Sequence, residues 1–471
     1  MSTRAERRPT LTRREFLAAL AGGAAVAAAP TRTYGGVELP DVLADYLQAV
    51  VRDLNAVRGG YPEGFFFITD LHNPSNHAFS GEMIARLTPL TGLWKTFCGG
   101  DLPSAYRQSG RTAREEAEWA WAKYRAGWID PISAAGGVVY TARGNHDLSV
   151  RDSSSQATGA TLSAAETRER LCLSHRRPYA VSNPADPTAC YFYRDVPTAK
   201  IRYIVADSSD LVTGTAGGWG VSYGIRETQL VWLADVALGT LPAGWDVIVI
   251  QHIPPAPVVS DASGEEPSLH DFRLLVEAFQ NRGTFAFGAR TWNFAQATGR
   301  ILLNLSGHEH ADRWSHLNGI PYVTVACDAA YNDYRFWSPY CGSLPAKGLS
   351  TIYAQTFDAV RVSSDHETIL FQRIGGGQDR LLHTRVRQVA AGGTLALGAP
   401  SLGASPTWVA YDGDRVKQNG QATDPTAFCT FYHDHASVSA AGVVTGGTPG
   451  SSMVFAHDAG FQKELYCVET I

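Results

Sequence analysis

The chain has 471 residues, too many for one average domain, so we expect two or three folded units. Hydrophobic residues make up 44% of the chain and charged residues 18%, the composition of an ordinary globular protein with enough apolar material for a core. The formal net charge of −5 gives no electrostatic case for nucleic acid or an anionic membrane as the main partner.

The first thirty residues have the pattern of an export signal. A basic start precedes an apolar, Ala-rich run from Leu17 to Ala29, as in signal peptides. The pair Arg13-Arg14 in front of this run resembles the twin-arginine export signal. The run is shorter than the roughly 20 residues that span a bilayer, and no later stretch is long and apolar enough to do so. We therefore expect residues 1–30 to be a twin-arginine signal peptide and the mature protein to be periplasmic or extracellular; an N-terminal membrane anchor is the alternative.

Alternating strands and helices are predicted for residues 60–387, after a lead-in segment at 31–59 that carries a helix at 41–57. Short apolar runs predict buried strands at 65–68, 96–98, 138–141, 203–205, 247–250 and 301–305. Helical patterns lie between them, for example at 113–126, 226–237 and 272–279. This alternation predicts an α/β domain with largely parallel strand pairing.

Beyond the run Gly375-Gly376-Gly377 the character of the chain changes. Residues 388–471 are rich in Gly, Ala, Ser and Thr and contain short β-like runs, so we predict a small separate all-β domain there. The segment 436–446 resembles a bacterial immunoglobulin-like repeat of the second type, with Gly446-Gly447 as the Gly-rich turn before a last strand. The His433-Asp434-His435 sequence has no cysteine cluster near it, and we interpret both histidines as structural.

The seven cysteines of an exported protein predict disulfides with at least one thiol left over. Proximity along the chain suggests the pairs Cys172–Cys190, Cys327–Cys341 and Cys429–Cys467, although spacing alone does not determine connectivity. Cys98 ends an apolar, strand-like run where a small buried thiol packs well, and it is expected to be free.

Five short polar motifs each follow a predicted strand. They are Asp70-Leu71-His72, Gly99-Gly100-Asp101, Gly144-Asn145-His146-Asp147, the single residue His252, and Gly307-His308-Glu309-His310. Each alone is common in turns and solvated loops. In α/β sheets, however, ligands bind outside the carboxyl ends of the strands, so motifs at five strand ends are expected to meet at one rim. Together they indicate one functional site.

This order of motifs resembles the calcineurin-like metallophosphoesterase superfamily over residues 60–387. The resemblance implies a metallo-dependent phosphatase fold, an α/β architecture of two packed mixed β-sheets flanked by helices, followed here by the small all-β sandwich domain. It also implies a centre of two metal ions, and every ligand position expected for that centre is filled in this sequence. The first ion would be held by Asp70, His72 and His310, the second by Asn145, His252 and His308, and Asp101 would bridge both.

The implied chemistry is hydrolysis of a small-molecule phosphate ester. Imidazole and carboxylate ligands suit borderline ions such as Mn, Fe or Zn, and a water between two such ions becomes a nucleophile near neutral pH. By the same resemblance His146 would protonate the leaving group, and Asp147 would orient His146 or cap its turn. We expect phosphodiesters to be slightly favoured over phosphomonoesters.

Two features of the sequence depart from the family pattern. Purple acid phosphatases place a metal-binding tyrosine three residues after the Gly-Asp aspartate, and that position here is Ser104, so we do not expect that branch. An insertion at roughly 149–240 matches no known pattern and leaves the substrate open. The alternatives are a surface binding protein acting through the immunoglobulin-like domain, against which the complete ligand set argues, and a nuclease of the same fold, against which the net negative charge argues.

Overall fold

The computed structural model describes residues 34, 37–72, 74–102, 111–147, 149–151, 158–160, 163–173, 179–210, 224–255, 267–329, 351–398, 400–401, 406–413, 417–418, 429–430, 432–457 and 463–471. The predicted signal peptide at 1–30 and Ser104 lie outside these residues. None of the helices in this part of the chain combines the length and the apolar character that a membrane crossing needs.

The α-helices are α1 (Asp41–Ala56), α2 (Pro74–Thr91), α3 (Ala113–Tyr124), α4 (Asp130–Ala134), α5 (Ala164–Arg168), α6 (Glu227–Trp232) and α7 (Pro267–Gln280). Helices α3, α5 and α6 each continue into a π-helical turn, at Arg125–Ile129, Glu169–Leu173 and Leu233–Leu238, and a 3₁₀ turn lies at Ile352–Ala354. Helix α3 begins where the sequence predicts it. The Thr112 hydroxyl accepts a hydrogen bond from the Glu115 amide, and the Glu115 carboxylate accepts one from the Thr112 amide, a capping box that satisfies two amides at the helix start.

The strands are β1 (Glu63–Ile68), β2 (Lys95–Cys98), β3 (Val138–Thr141), β4 (Ser149–Arg151), β5 (Thr158–Ala160), β6 (Ala180–Ser182), β7 (Phe192–Val196), β8 (Ile201–Val205), β9 (Asp246–Ile250), β10 (Thr284–Phe287), β11 (Arg290–Asn293), β12 (Ile301–Ser306), β13 (Arg313–Leu317), β14 (Ile320–Thr324), β15 (Thr356–Val362), β16 (Thr368–Gly375), β17 (Arg380–Val389), β18 (Thr394–Ala396), β19 (Thr407–Asp412), β20 (Lys417–Gln418), β21 (Cys429–Thr430), β22 (Ala436–Val438), β23 (Val443–Gly446), β24 (Gly450–His457) and β25 (Lys463–Thr470).

Two large mixed sheets organise these strands. The first sheet has the order β19-β24-β25-β17-β16-β15-β1-β2-β3, and the second has the order β13-β14-β12-β9-β8-β7-β6. Strands β1, β2 and β3 run parallel to one another, as do β8, β9, β12 and β14, while most of the other pairs are antiparallel. The fold is therefore mixed α/β. The strands predicted from short apolar runs are the parallel strands β1, β2 and β3 at one edge of the first sheet and β8, β9 and β12 in the centre of the second.

The two sheets pack face to face and helices cover their outer faces. Phe65 and Phe97 of the first sheet contact Tyr203 of the second, with ring centroids 5.3 and 5.1 Å from the tyrosine ring. Helices α1 and α2 bury their apolar faces on the outer side of the first sheet, and α6 and α7 do so on the second. Strand β1 is buried along its whole length because both of its faces are covered, which explains its unbroken Phe65-Phe66-Phe67-Ile68 run.

Residues 388–471 are all-β where the structure describes them. Strands β18, β23 and β22 form a small three-stranded sheet, whereas β19, β24 and β25 extend the first sheet, with β25 parallel to β17. These last strands therefore continue the large sheet, and a core of their own, which includes Val444, Val454 and Val468, packs them against the three-stranded sheet. The boundary at residue 388 and the immunoglobulin-like resemblance stay predictions.

The described cysteines show no disulfide bond. Cys98 and Cys467 are buried free thiols, as expected for Cys98, so the predicted pair Cys429–Cys467 is wrong. Cys467 lies in the middle of β25, where a small apolar side chain fills the space between the sheets. The pairs Cys172–Cys190 and Cys327–Cys341 are likewise without support among the described residues. Cys341 lies outside the described residues, and so does the side chain of Cys172.

A buried cluster of four charges ties the loop after β12 to the first sheet. Arg373 lies 2.7 Å from Asp312 and 2.9 Å from Asp358, and Arg380 lies 2.9 Å from Asp312. Burial alone would raise the pKa of Asp312, but the charges of Arg373 and Arg380 lower it to about 2, below its usual value of 3.8. The cluster is thus an ion network in which each arginine contacts a carboxylate.

Replacing Asp312 with asparagine is expected to destabilise the protein by roughly 3 kcal/mol at pH 7, because it leaves two buried arginines with too little negative charge. A depressed carboxyl pKa stabilises the fold above the unfolded-state pKa and loses that effect as the pH falls through the folded-state value. The difference between wild type and Asp312→Asn should therefore shrink between about pH 4 and pH 2. Urea unfolding across that range measures it. Glu367→Gln, in an exposed pair with Arg385, should change stability by less than about 1 kcal/mol; a pH-independent Asp312 effect would contradict this account.

Candidate metal centre

The five predicted motifs meet at one end of the two sheets. Three of them follow the neighbouring parallel strands β1, β2 and β3 of the first sheet, and two follow the neighbouring parallel strands β9 and β12 of the second. Their first polar side chains lie within four residues of the strand ends. Because neighbouring parallel strands end at the same edge, the sheet order brings together motifs that are far apart in sequence.

The first group of potential metal ligands consists of Asp70, His72 and His310. One donor atom from each lies within 4.8 Å of the others. The Nε2 atoms of the two histidines are 2.9 Å apart, and His310 Nε2 is 3.2 Å from Asp70 Oδ1. This group joins the end of β1 in the first sheet to the loop after β12 in the second.

The second group consists of Asp101, His252 and His308, with donor atoms again within 4.8 Å of one another. Asn145 completes it, because its Oδ1 atom lies 2.8 Å from His252 Nε2 and 2.9 Å from His308 Nδ1. The three elements predicted to hold a second ion therefore converge on one point.

Asp101 lies between the two groups. Its Oδ2 atom is 3.1 Å from His252 Nε2 and 3.6 Å from His72 Nε2, so one carboxylate oxygen faces both sets of imidazoles. Its Oδ1 atom accepts a hydrogen bond from the His146 amide at 2.8 Å. That second contact fixes the orientation of the carboxylate.

Hydrogen bonds with neighbouring residues orient the side chains of the two groups. His252 Nδ1 is 2.7 Å from the Gly99 carbonyl, so this nitrogen carries a proton and Nε2 is the ring atom that faces the second group. Asp70 Oδ2 accepts hydrogen bonds from the Thr69 hydroxyl at 2.7 Å and from the His308 amide at 2.9 Å. Asp70 Oδ1 is thereby directed at His310.

The backbone of the site adopts an unusual conformation. Five of the predicted ligands have a positive φ: Asp70 at 54°, His72 at 36°, Asp101 at 56°, His308 at 69° and His310 at 54°. Non-glycine residues rarely adopt this region, and such conformations cluster at functional sites, where each costs about 1–3 kcal/mol. Five residues of the two groups adopt this unfavourable conformation, which indicates that the orientation of their side chains is maintained at a cost in local stability.

Two glycines allow the loops to approach closely. A Cβ atom on Gly307 would lie within 3.0 Å of Thr69 Oγ1 and Asp70 Oδ2, and one on Gly144 would lie within 3.0 Å of Asp101 Oδ1. Real Cβ atoms essentially never make contacts that short. The glycines that precede His308 and Asn145 are thus required by the close packing of Thr69, Asp70 and Asp101 against them.

We expect Gly307→Ala to weaken metal binding by the first ligand group at least about tenfold, since it displaces the hydrogen-bond partners that orient Asp70. Titration of the purified protein with Mn²⁺ measures this. Gly283→Ala is the matched control, because its Cβ would lie 3.8 Å from the nearest atoms, in Ala278. Unchanged binding in Gly307→Ala, or equal losses in both variants, would contradict the role of Gly307.

The charges of the site are strongly coupled. Burial would raise the pKa of Asp101, but the nearby His252 and His146 lower it well below its usual value. Burial would lower the pKa of His252, yet the Asp101 carboxylate raises it to about 9. For His308, burial and the charge of His252 together lower the pKa to about 3. The site therefore presents ionised carboxylates beside a neutral imidazole, a donor set suited to a cation.

His146 lies beside both groups without belonging to either. Its Nε2 atom is 3.9 Å from Asp101 Oδ2, its ring centroid is 5.4 Å from that of His72, and no described residue hydrogen bonds to its buried Nδ1. Burial lowers its pKa to about 4, although Asp101 acts in the opposite direction. The side chain is 13% exposed, whereas Asp101 and His252 are almost completely buried. It therefore lies on the side from which a ligand reaches the site.

The carboxylate of Asp147 accepts hydrogen bonds from backbone amides. Its Oδ2 atom accepts from Gly144 at 2.7 Å and from Asp101 at 3.2 Å, and its Oδ1 atom accepts from Leu102 at 2.8 Å. Burial and the neighbouring Asp101 raise its pKa to about 6. Of the two roles predicted for Asp147, these contacts favour capping the turn and joining it to the loop after β2. Orientation of His146 stays a prediction.

Sequence reasoning missed several residues that surround the site. Thr69 orients Asp70, the Asp328 amide donates to the Thr69 carbonyl, and Arg143 pairs with Asp207 behind the Asn145 turn. A signal for Asp207 was available, because it follows the predicted strand at 203–205 as the ligand motifs follow theirs. Asp328 follows no predicted strand and has no comparable signal in the local sequence.

Comparison with known proteins gives little further information. No protein-family model matches the chain, and no curated protein matches it. Solved structures do match, among them a dimetal phosphatase from Danio rerio at 12% sequence identity and a TM-score of 0.46, with 68% of this chain and 98% of that chain covered. A TM-score of this size does not establish a common fold or a common function.

Proposed function

We propose that the protein is a two-metal hydrolase of phosphate esters with the metallo-dependent phosphatase fold. The observation that carries this proposal is the position of Asp101, whose Oδ2 atom faces both His72 and His252 and so lies between two ligand groups. Asp70, His72 and His310 would hold one ion, Asn145, His252 and His308 the other, and Asp101 would bridge them. Mixed imidazole and carboxylate donors suit Mn, Fe or Zn.

When bound, the ions would supply a water of lowered pKa as nucleophile and would offset the charge that develops on the phosphate oxygens. The protein's own contribution is orientation and proton transfer. His146 and His310 are 13% and 21% exposed, so the substrate enters beside these two residues. From that side His146 is placed to protonate the leaving-group oxygen in its protonated form, which the negative charge of a bound phosphate ester would favour. Asp147 and the Asp101 carboxylate hold its turn in position.

We further propose a phosphodiester as the preferred substrate. A diester carries one negative charge and a monoester up to two, so a monoester gains more from additional cationic side chains. Among the described residues, the arginines nearest in sequence to the ligands are already paired: Arg143 with Asp207 at 2.6 Å and Arg313 with Glu309 at 3.0 Å. That pairing favours the substrate of lower charge.

Export by the twin-arginine route is also a proposal, supported by the pattern of residues 1–30 and by the presence of a site that would acquire its metals before transport. Changing Arg13 and Arg14 to lysine should retain the precursor in the cytoplasm. Cell fractionation tests this, and unchanged export of that variant would contradict the proposed route.

The proposed activity is tested with an aromatic phosphodiester and the matching monoester. The protein is reconstituted separately with Mn, Zn and Fe, and turnover of both substrates is measured. We expect metal-dependent turnover with a higher kcat/KM for the diester. Faster turnover of the monoester would contradict only the substrate preference. If neither substrate were hydrolysed with any of the three metals, the proposed activity would be contradicted.

A further inference from the structure

A buried ion pair joins the two sheets directly behind the second ligand group. Arg143 lies just after β3 in the first sheet, and Asp207 lies just after β8 in the second. The Arg143 guanidinium donates from Nε to Asp207 Oδ1 at 3.1 Å, and its Nη2 atom lies 2.6 Å from Asp207 Oδ2. Both side chains are almost completely buried. The pair therefore links the carboxyl edges of the two sheets at a point two residues from Asn145.

The second sheet holds Asp207 rigidly. Its backbone amide donates to the Gln229 side chain at 2.8 Å, and Gln229 Nε2 donates back to the Asp207 carbonyl at 3.0 Å. Asp210 also lies 3.4 Å from Arg143 Nη2, and it is paired in turn with Arg226 at 2.8 Å. Helix α6 thus anchors the segment that receives the arginine.

The same segment also supports His252. Ser208, next to Asp207, accepts a hydrogen bond from the Ile253 amide through its Oγ atom at 2.8 Å. Ile253 directly follows His252, whose Nε2 atom is 2.8 Å from Asn145 Oδ1. One short segment, 207–208, is therefore connected to Asn145 through Arg143 and to His252 through Ser208.

We propose that Arg143 and Asp207 are positioning residues that set the separation of Asn145 and His252 and thereby the cation affinity of the second ligand group. This inference rests on the proposed two-metal function. The first group is held by other contacts, since Asp70 is oriented by Thr69 and by the His308 amide. Loss of the Arg143–Asp207 pair should therefore affect the two ions unequally.

A second buried ion pair provides a matched control. Lys95 lies 2.6 Å from Glu63, and these residues begin β2 and β1, at the opposite end of the strands from the site. Removing Lys95 also leaves a buried carboxylate without its cation. Lys95→Met should therefore lower stability as Arg143→Met does, but without affecting the ligand groups.

The test measures Mn²⁺ binding and the electron paramagnetic resonance spectrum of the full chain in wild type, Arg143→Met, Arg143→Lys, Asp207→Asn and Lys95→Met. We expect two ions with a spin-coupled spectrum in wild type and in Lys95→Met. Arg143→Met should keep one ion at wild-type affinity, lose about tenfold or more in affinity for the other, and lose the coupled spectrum. Arg143→Lys should restore binding only in part, because lysine keeps the charge but cannot make the two-point contact.

The outcomes separate this inference from the proposed function. If Arg143→Met bound two ions at wild-type affinity, the inference would be overturned and the proposed function would be unaffected. Asp207→Asn provides the same test if Arg143→Met does not fold. An equal loss of the second ion in Lys95→Met would overturn it as well, because the effect would then follow from lost stability. No binding of Mn, Zn or Fe ions by the wild type would overturn the proposed function itself.

Discussion

Replacing Asp101 with alanine is expected to lower turnover by more than about 10³-fold and to remove at least one bound metal ion per chain. The variant lacks the oxygen that faces both His72 and His252, so the second ligand group is incomplete and the carboxylate that joins it to the first group is lost. Loss of a single preorganised charge-stabilising donor already costs about 10²–10³ in kcat, and a missing ion removes more than one such contact. Phosphodiester turnover and elemental analysis of the same samples measure both effects.

Asp101 also accepts a hydrogen bond from the His146 amide, so its removal affects the turn as well as the ions. Asp101→Asn retains an acceptor for that amide while removing the charge, and it should lose metal and turnover almost as completely as the alanine variant. Asp365→Asn makes the same change from carboxylate to amide in a turn far from the site, where Asp365 accepts hydrogen bonds from the Ser363 hydroxyl and the Glu367 amide. This control should leave metal content and turnover unchanged. Full metal content with full activity in Asp101→Asn would contradict the bridging role.

Replacing His146 with glutamine is expected to lower turnover by about 10²–10⁴-fold while both metal ions remain bound. His146 lies beside Asp101 but belongs to neither group of potential ligands, so the loss concerns the leaving group and not the ions. An alkyl leaving group needs a proton more than a nitrophenolate does. The loss should therefore be much larger for a dialkyl diester, which releases an alcohol, than for a diester that releases nitrophenolate.

His433→Gln is the matched control for this substitution. His433 is bonded through Nδ1 to the Ala410 carbonyl at 2.6 Å, in the segment that we interpret as structural, and its replacement should leave turnover unchanged. Loss of a metal ion from His146→Gln would make His146 a ligand. Equal losses for both leaving groups would contradict its role as a proton donor.

The parallel strands of the fold could be predicted from sequence because they are short apolar runs, each preceded by a glycine or a charged residue. The predicted strand at 138–141 coincides with β3, and the predicted helix at 41–57 ends one residue beyond α1. The site followed from the same feature. Once parallel strands end at a common edge, polar residues just after them must meet, and the structure brings all seven predicted ligands together.

What could not be predicted depends on contacts between distant parts of the chain. The parallel pairing of β25 with β17 joins residues about 80 positions apart, and nothing in the local composition of 388–471 predicts it. Proximity suggested a disulfide for Cys467, but strand direction and burial, not proximity, determine which side chains face each other. The Arg143–Asp207 pair is similar, since each residue alone is compatible with a solvated loop.

The most direct test of the account is the anomalous diffraction of crystals of the protein grown with Mn²⁺. We predict two anomalous peaks within about 4 Å of each other, one among Asp70, His72 and His310 and one among Asn145, His252 and His308, with Asp101 between them. A single peak, or peaks away from Asp101, would contradict the two-metal centre from which the proposed function is derived.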